Sequence, residues 1–190
     1  MFFLKKSQMQ NSLCQSQVLH SFQEPHALSL QLTGALSQSR TALQVQYSLS
    51  GQIDQVLLSA LKSIPCRRDN LWQTTCFELF FAVQGSPQYW EVNLAPSGDW
   101  NVYTFTGYRQ GMKEEKAITS LPCGQSCSTD RYQLVVDVPL AALVAPNQSL
   151  ELALCAVLEI NGQRHFYALT HHGSQPDFHA RESFVINIEQ

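Results

Sequence analysis

Between residues 76 and 105 the chain alternates apolar and polar side chains in three consecutive short runs, and a period of two fits a strand and not a helix. In Cys76 to Val83, Phe77, Leu79, Phe81 and Val83 point one way and Cys76, Glu78, Phe80 and Ala82 the other. The turn Gln84-Gly85-Ser86-Pro87 breaks the pattern, and Tyr89 to Leu94 then resumes it with Trp90, Val92 and Leu94 toward the core. A second turn, Pro96-Ser97-Gly98-Asp99, leads into Trp100 to Phe105, which carries aromatic groups on both faces. Such a strand is either covered twice or exposes rings for use. Strands joined by short loops pair as antiparallel neighbours, which predicts that Glu78, Tyr89, Glu91 and Asn93 share one sheet face.

The same period recurs along most of the chain. Val18 to Gln23 reads as a short strand, and His26 to Gly34 as a half-buried one with Leu28, Leu30 and Leu32 inward. A polar link follows, and Thr41 to Leu49 repeats the pattern with Leu43, Val45, Tyr47 and Leu49 on the core side. Ile53 to Leu61 fits either a short helix or a buried irregular connection. Gln110 to Ser128 reads as a long connection with a strand at Lys116 to Leu121, and Cys123 to Cys127 as a loop within it. Tyr132 to Val138 alternates, and Pro139 to Leu143 suits a single helical turn opened by proline. Leu150 to Ile160 is apolar on both faces, as a central strand is. Asn161-Gly162 is the strongest hairpin signal and returns the chain through Arg164 to Thr170. Ser183 to Glu189 is a last strand with Phe184, Ile186 and Ile188 on one face. About nine or ten strands with hardly a helix predict an all-β fold, an antiparallel β-sandwich.

The 190 residues suit one domain, residues 18 to 190, after a loosely packed arm of residues 1 to 17 that is rich in Gln and Ser. Charged residues make up 14% of the chain, below the ordinary ~25%, and no basic run interleaves with aromatics, so nucleic acid is not an expected partner. No window approaches the roughly 20 apolar residues that cross a bilayer, so no membrane association is expected either. Met1-Phe2-Phe3-Leu4-Lys5-Lys6 reverses the order of a secretory leader, which predicts a cytoplasmic protein whose six cysteines stay reduced. The spacing of Cys123 and Cys127 is one residue wider than the usual zinc pair and no second pair accompanies it, so no metal is expected there.

Three stretches carry a family likeness: L-W-Q-T-T-C-F-E-L-F at Leu71 to Phe80, Y-W-E-V-N-L-A-P-S-G-D-W at Tyr89 to Trp100, and P-D-F-H-A-R-E-S-F at Pro176 to Phe184. Together they resemble the bacterial DOMON-like proteins related to the family 9 carbohydrate-binding modules, over residues 20 to 188. The resemblance implies a β-sandwich that binds a sugar or a haem on one sheet, usually without catalysis.

A sugar site needs flat rings for the apolar faces of the ligand and carboxylate or amide groups for its hydroxyls. Trp72, Tyr89, Trp100, Tyr103 and Tyr108 are the candidate rings, with Glu78, Glu91, Asn93 and Arg109 as polar partners; Trp90 follows the core register. Glu78 stands out because a carboxylate inside an apolar strand is costly without a partner. Its alternative reading is a structural pair with Arg109 or Arg181. His172, His179 and Arg181 join the candidates from the late segment, with His179 and Arg181 on one side if that segment is extended. The other reading of that segment is a hydrogen-bonded corner that holds the last strand. Haem would require an axial pair such as Met112 with His171, His172 or His179. Two carboxylates such as Glu78 and Glu91 also occur in glycosidases, but no G-x-S-x-G, P-loop or H-E-x-x-H pattern accompanies them, and adjacent strands of a binding face often carry such a pair. The expected function is non-catalytic binding of a small molecule, a sugar first, with a haem or redox module, or a surface meeting another protein, as alternatives.

Overall fold

The computed structural model describes residues 12, 13, 16–23, 28–39 and 41–189. Among the described residues thirteen strands follow one another. The first four are β1 (Ser12–Leu13), β2 (Gln17–Ser21), β3 (Leu30–Gln38) and β4 (Leu43–Gly51). The central stretch supplies β5 (Cys76–Val83), β6 (Tyr89–Leu94), β7 (Trp100–Phe105) and β8 (Lys113–Glu114). Then come β9 (Cys123–Cys127), β10 (Arg131–Val138), β11 (Leu150–Ile160), β12 (Gln163–Ala168) and β13 (Ile186–Ile188).

Every pairing of these strands is antiparallel. One sheet runs β8-β7-β6-β5-β11-β12, with β13 beside the start of β11; the other runs β2-β3-β4-β10-β9, with β1 beside the end of β3. Strand β2 belongs to both, because Leu19 pairs with Leu32 of β3 while His20 pairs with Ala168 of β12. The two sheets therefore curl into each other along one edge and remain open along the other.

The main core lies between the sheets, where Phe77 stacks on Tyr132 at 5.6 Å and Phe81 on Trp90 at 5.2 Å. The sheets approach so closely at Gly34 that a β-carbon there would lie 2.6 Å from Leu154 Cδ1, which explains a glycine in mid-strand. A second, smaller apolar cluster covers the opposite face of the first sheet, with Phe80, Tyr89, Phe105, Phe178 and Phe184. Two-sided cover is why β5, β6 and β7 are buried almost throughout.

Several expectations change in detail. The added strands are mostly short: β1 and β8 have two residues each. The strand expected at Lys116 to Leu121 is instead β9, at the cysteine-bearing segment read as a loop; it pairs with β10, Tyr132 opposite Cys127. The polar link expected after Gly34 is the continuation of β3 to Gln38, because pairing with β4 satisfies its backbone. Ile53–Gln55 is a single 3-10 turn, and residues 57–66 that follow are irregular. The last strand is shorter than expected, for Arg181–Ser183 forms a 3-10 turn that rotates Phe184 onto the second cluster while Ile186 enters the main core. Of the expected N-terminal arm, residues 1–11, 14 and 15 lie outside the described residues, as do His26 and Ala27 of the expected second strand. Among the described residues no helix is long and apolar enough to cross a membrane.

Candidate functional site

Strand register sets the floor of the site. Glu78 lies opposite Asn93, which lies opposite Asn101; one row along, Phe80 lies opposite Glu91, which lies opposite Tyr103. Glu78 and Glu91 are thus diagonal neighbours on the second face of the first sheet. Both are buried, at 3% and 4% exposure. Glu91 Oε1 accepts a hydrogen bond from Asn93 Nδ2 at 2.7 Å, and its Oε2 lies 3.8 Å from His179 Nε2. Glu78 Oε1 has no hydrogen-bond partner among the described residues, although an unpaired buried carboxylate oxygen is among the costlier arrangements in a fold.

The protonation of both groups reflects this. Burial, and then the charge of Glu91, hold the Glu78 carboxyl well above the ordinary range, against a smaller opposing effect of the Cys76 thiol. Burial pushes the Glu91 carboxyl up to about 7, against the opposing hydrogen bond from Asn93 and the charge of Arg109. Glu78 pairs with neither arginine suggested as its structural partner: Arg109 bonds Asp177 and Arg181 bonds Glu151.

Above this floor is a cavity of about 300 Å³. Phe105, Val157, Phe166, Phe178 and Trp72 form its apolar walls, and Arg109, Met112, Arg164, Pro176 and His179 complete its lining. Each wall has a local cause. Trp72 sits on the 3-10 turn Leu71–Gln73, which Asn70 opens in the left-handed region at φ 62°. That loop is fastened to β7, because Tyr103 donates its hydroxyl to Asp69 Oδ1 at 2.7 Å and Asn101 Nδ2 donates to Arg68 O at 3.0 Å. The Trp72 ring then rests edge-on against Tyr103, 5.9 Å between centroids.

The opposite rim is built from two loops that meet at Asp177. Its Oδ1 accepts from Arg109 Nη2 at 2.8 Å and from the His179 N–H at 3.1 Å, and its Oδ2 accepts from the Tyr108 hydroxyl at 2.6 Å. Beneath them, the Tyr89 hydroxyl accepts from the Arg109 N–H at 3.1 Å and lies 2.8 Å from His179 Nδ1. With that hydroxyl donating to Nδ1, the proton of a neutral imidazole sits on Nε2, facing Glu91. Burial, with the nearby Arg109 charge, lowers the His179 pKa to about 4, so the ring is neutral at pH 7.

No family model and no curated protein sequence matches this chain. Among solved structures it is similar to a putative carbohydrate-binding protein from Bacteroides uniformis, with 13% identity, 89% of this chain and 83% of that one covered, and a TM-score of 0.65. It is also similar to a family 9 carbohydrate-binding module from Caldicellulosiruptor kristjanssonii in complex with glucose, with 11% identity, 92% and 83% covered, and a TM-score of 0.54. At such identities the likeness is one of fold, an all-β antiparallel architecture in both cases.

The structure brings Trp72, Glu78, Glu91, Arg109 and His179 together in one cavity. Tyr89 and Asn93 lie on the same face but one layer down, orienting His179 and Glu91. Tyr108 stands outside the lining, on the rim, bonded to Asp177. Three candidates do not belong to the cavity. Trp100 faces the main core at 6% exposure, under the Arg67 guanidinium at 4.4 Å, because β7 alternates in register with β6 and puts residue 100 on the core side. His172 lies in the loop beyond β12, away from the lining. Arg181 opens the 3-10 turn and bonds Glu151 Oε2 at 2.6 Å, Ser86 O at 3.0 Å and Val83 O at 3.1 Å, the corner-holding role. Phe105, Val157, Phe166, Phe178 and Arg164 were not among the residues expected in the site. The Asn161-Gly162 turn held the signal for Phe166, since it fixes Val157 opposite Phe166; Phe178 lies in an irregular loop with no period to read.

Proposed function

We propose that the protein binds a single sugar ring in this cavity and leaves its covalent bonds unchanged. The observation that carries the reading is the pairing of a buried Glu78 Oε1, partnerless among the described residues, with walls of Phe105, Phe166, Phe178 and Trp72. A pyranose presents apolar C–H faces to rings and hydroxyl donors to acceptors, so one ligand class answers both features. The volume, about 300 Å³, lies at the lower end of the range for small-molecule sites, which favours one ring over an oligosaccharide. The fold likeness to a family 9 module in complex with glucose points the same way.

A haem fits the same residues poorly. Met112 and His179 both line the cavity, but His179 Nδ1 is engaged with Tyr89, its Nε2 faces Glu91 Oε2, and the floor between them is a carboxylate pair where a porphyrin needs an apolar plane. The DOMON-like label in its haem-binding sense is therefore not the form we favour.

Thermal melting against a panel of monosaccharides tests the proposal. A sugar present at a hundred times its dissociation constant adds about 2.7 kcal/mol, which raises Tm by roughly 5–11 °C in a protein of this size. A panel that leaves Tm unmoved at millimolar concentrations contradicts the proposal.

A further inference from the structure

The charges of the cavity are sorted by depth. At the floor, Glu78 Oε1 is buried without a hydrogen-bond partner among the described residues, and Glu91 Oε2 lies 3.8 Å from His179 Nε2. The positive groups that share the cavity are not paired with this floor among the described residues. Arg109 is paired with Asp177, His179 is neutral, and Arg164 is exposed at the mouth with no ion pair among the described residues. The nearest groups on β5 itself, on β11 and from β4 across the core are uncharged: burial keeps the Cys76 and Cys155 thiols protonated, and the Tyr47 hydroxyl donates to the Glu78 backbone oxygen at 2.6 Å. A neutral hydroxyl supplies one donor to such a floor, whereas an ammonium supplies three donors and a positive charge beside which the carboxyls can ionise. Phe105, Phe178 and Trp72 line the same cavity, and aromatic rings tolerate a cation over their faces.

We propose that the ring taken by this cavity is an amino sugar, with its ammonium group on Glu78 and Glu91 and its remaining hydroxyls toward Arg164 and the mouth. This rests on the sugar reading above and narrows it. In the empty cavity burial favours the protonated form of both carboxyls, and Glu91, at about 7, is about half protonated at pH 7. The ammonium favours the charged form of the carboxyl it sits on and displaces its proton, so binding at pH 7 is coupled to proton release.

The test is calorimetry at pH 7, in two buffers of different ionisation heat, with glucose, N-acetylglucosamine, glucosamine and 6-amino-6-deoxyglucose. At least one of the two amines is expected to bind about tenfold or more tighter than both uncharged sugars, with net proton release. Glu78→Gln or Glu91→Gln, each shown folded by its melting curve, is expected to remove that advantage. Glucose binding as tightly as both amines overturns the amino-sugar inference and leaves the sugar reading standing. An amine preference that survives both substitutions overturns the placement. Four sugars that fail to bind overturn the sugar reading and the inference with it.

Discussion

Trp72 and Trp100 carry the same indole into opposite environments. Trp100 packs in the main core on the inner face of β7, whereas Trp72 stands on a short loop and lines the cavity. Trp100→Ala is expected to cost about 3–5 kcal/mol, lowering Tm on the order of 10 °C. Trp72→Ala is expected to lower Tm by a few degrees only and to abolish any sugar-induced rise, and melting curves with and without sugar separate the two. The acidic pair makes a second prediction at this scale. Glu91, at about 7 in the fold against an ordinary 4.5, holds a proton that the unfolded chain has released. Its stabilisation is complete below pH 4.5 and is lost as pH rises through 7. His179, lowered to about 4 from an ordinary 6.5, works in reverse, contributing stability above pH 6.5 that disappears as pH falls toward 4. The two slopes oppose each other most below pH 6.5, and the Glu91 slope prevails above it. Tm should therefore fall between pH 6.5 and 8, and Glu91→Gln should flatten that fall; a Tm that rises over this range contradicts the assignment.

At the scale of elements, the longer strands were legible because they bury at least one face, and period two survives in the sequence wherever that holds. Asn161-Gly162 went further and set a register, since both residues take positive φ, 51° and 75°, as a tight hairpin turn requires. The β9 segment was not legible, because its residues are largely exposed and only the pairing with β10 makes it a strand. Arg181 shows the same limit for side chains. Its sequence neighbourhood suggested a ligand contact, but its guanidinium ties the last turn to Glu151 on β11 and to the carbonyls of Val83 and Ser86. Removing a group with that many charge-assisted bonds is expected to cost about 2–3 kcal/mol. Arg181→Ala should lower Tm accordingly while leaving cavity binding within a few-fold of the parent. Arg181→Lys should rescue little, since an ammonium cannot span a carboxylate and two carbonyls in the plane of a guanidinium.

The whole molecule places the site where the sequence alone is least informative. One face of the first sheet, with Glu78 and Glu91, followed from alternation within β5 and β6. What closes that face is non-local: the loop at Arg109 and the loop at His179 meet through Asp177, and Phe166 arrives from β12. Residues 72, 78, 91, 109, 166 and 179 therefore converge only after the sheet has formed and the last turn is tied down. Such convergence leaves no local pattern to read, which is why the polar floor was found and most of the apolar wall was not. The most direct test uses the indole N–H signals of the three tryptophans in a nitrogen-15 correlation spectrum, recorded while glucose and then glucosamine are titrated in. The signal lost in Trp72→Phe is expected to shift saturably, while those of Trp90, bonded to Glu115 Oε2 at 3.1 Å, and of Trp100 in the core stay in place. A Trp72 signal that both sugars leave unmoved, or a saturable shift confined to Trp90 and Trp100, contradicts binding in this cavity.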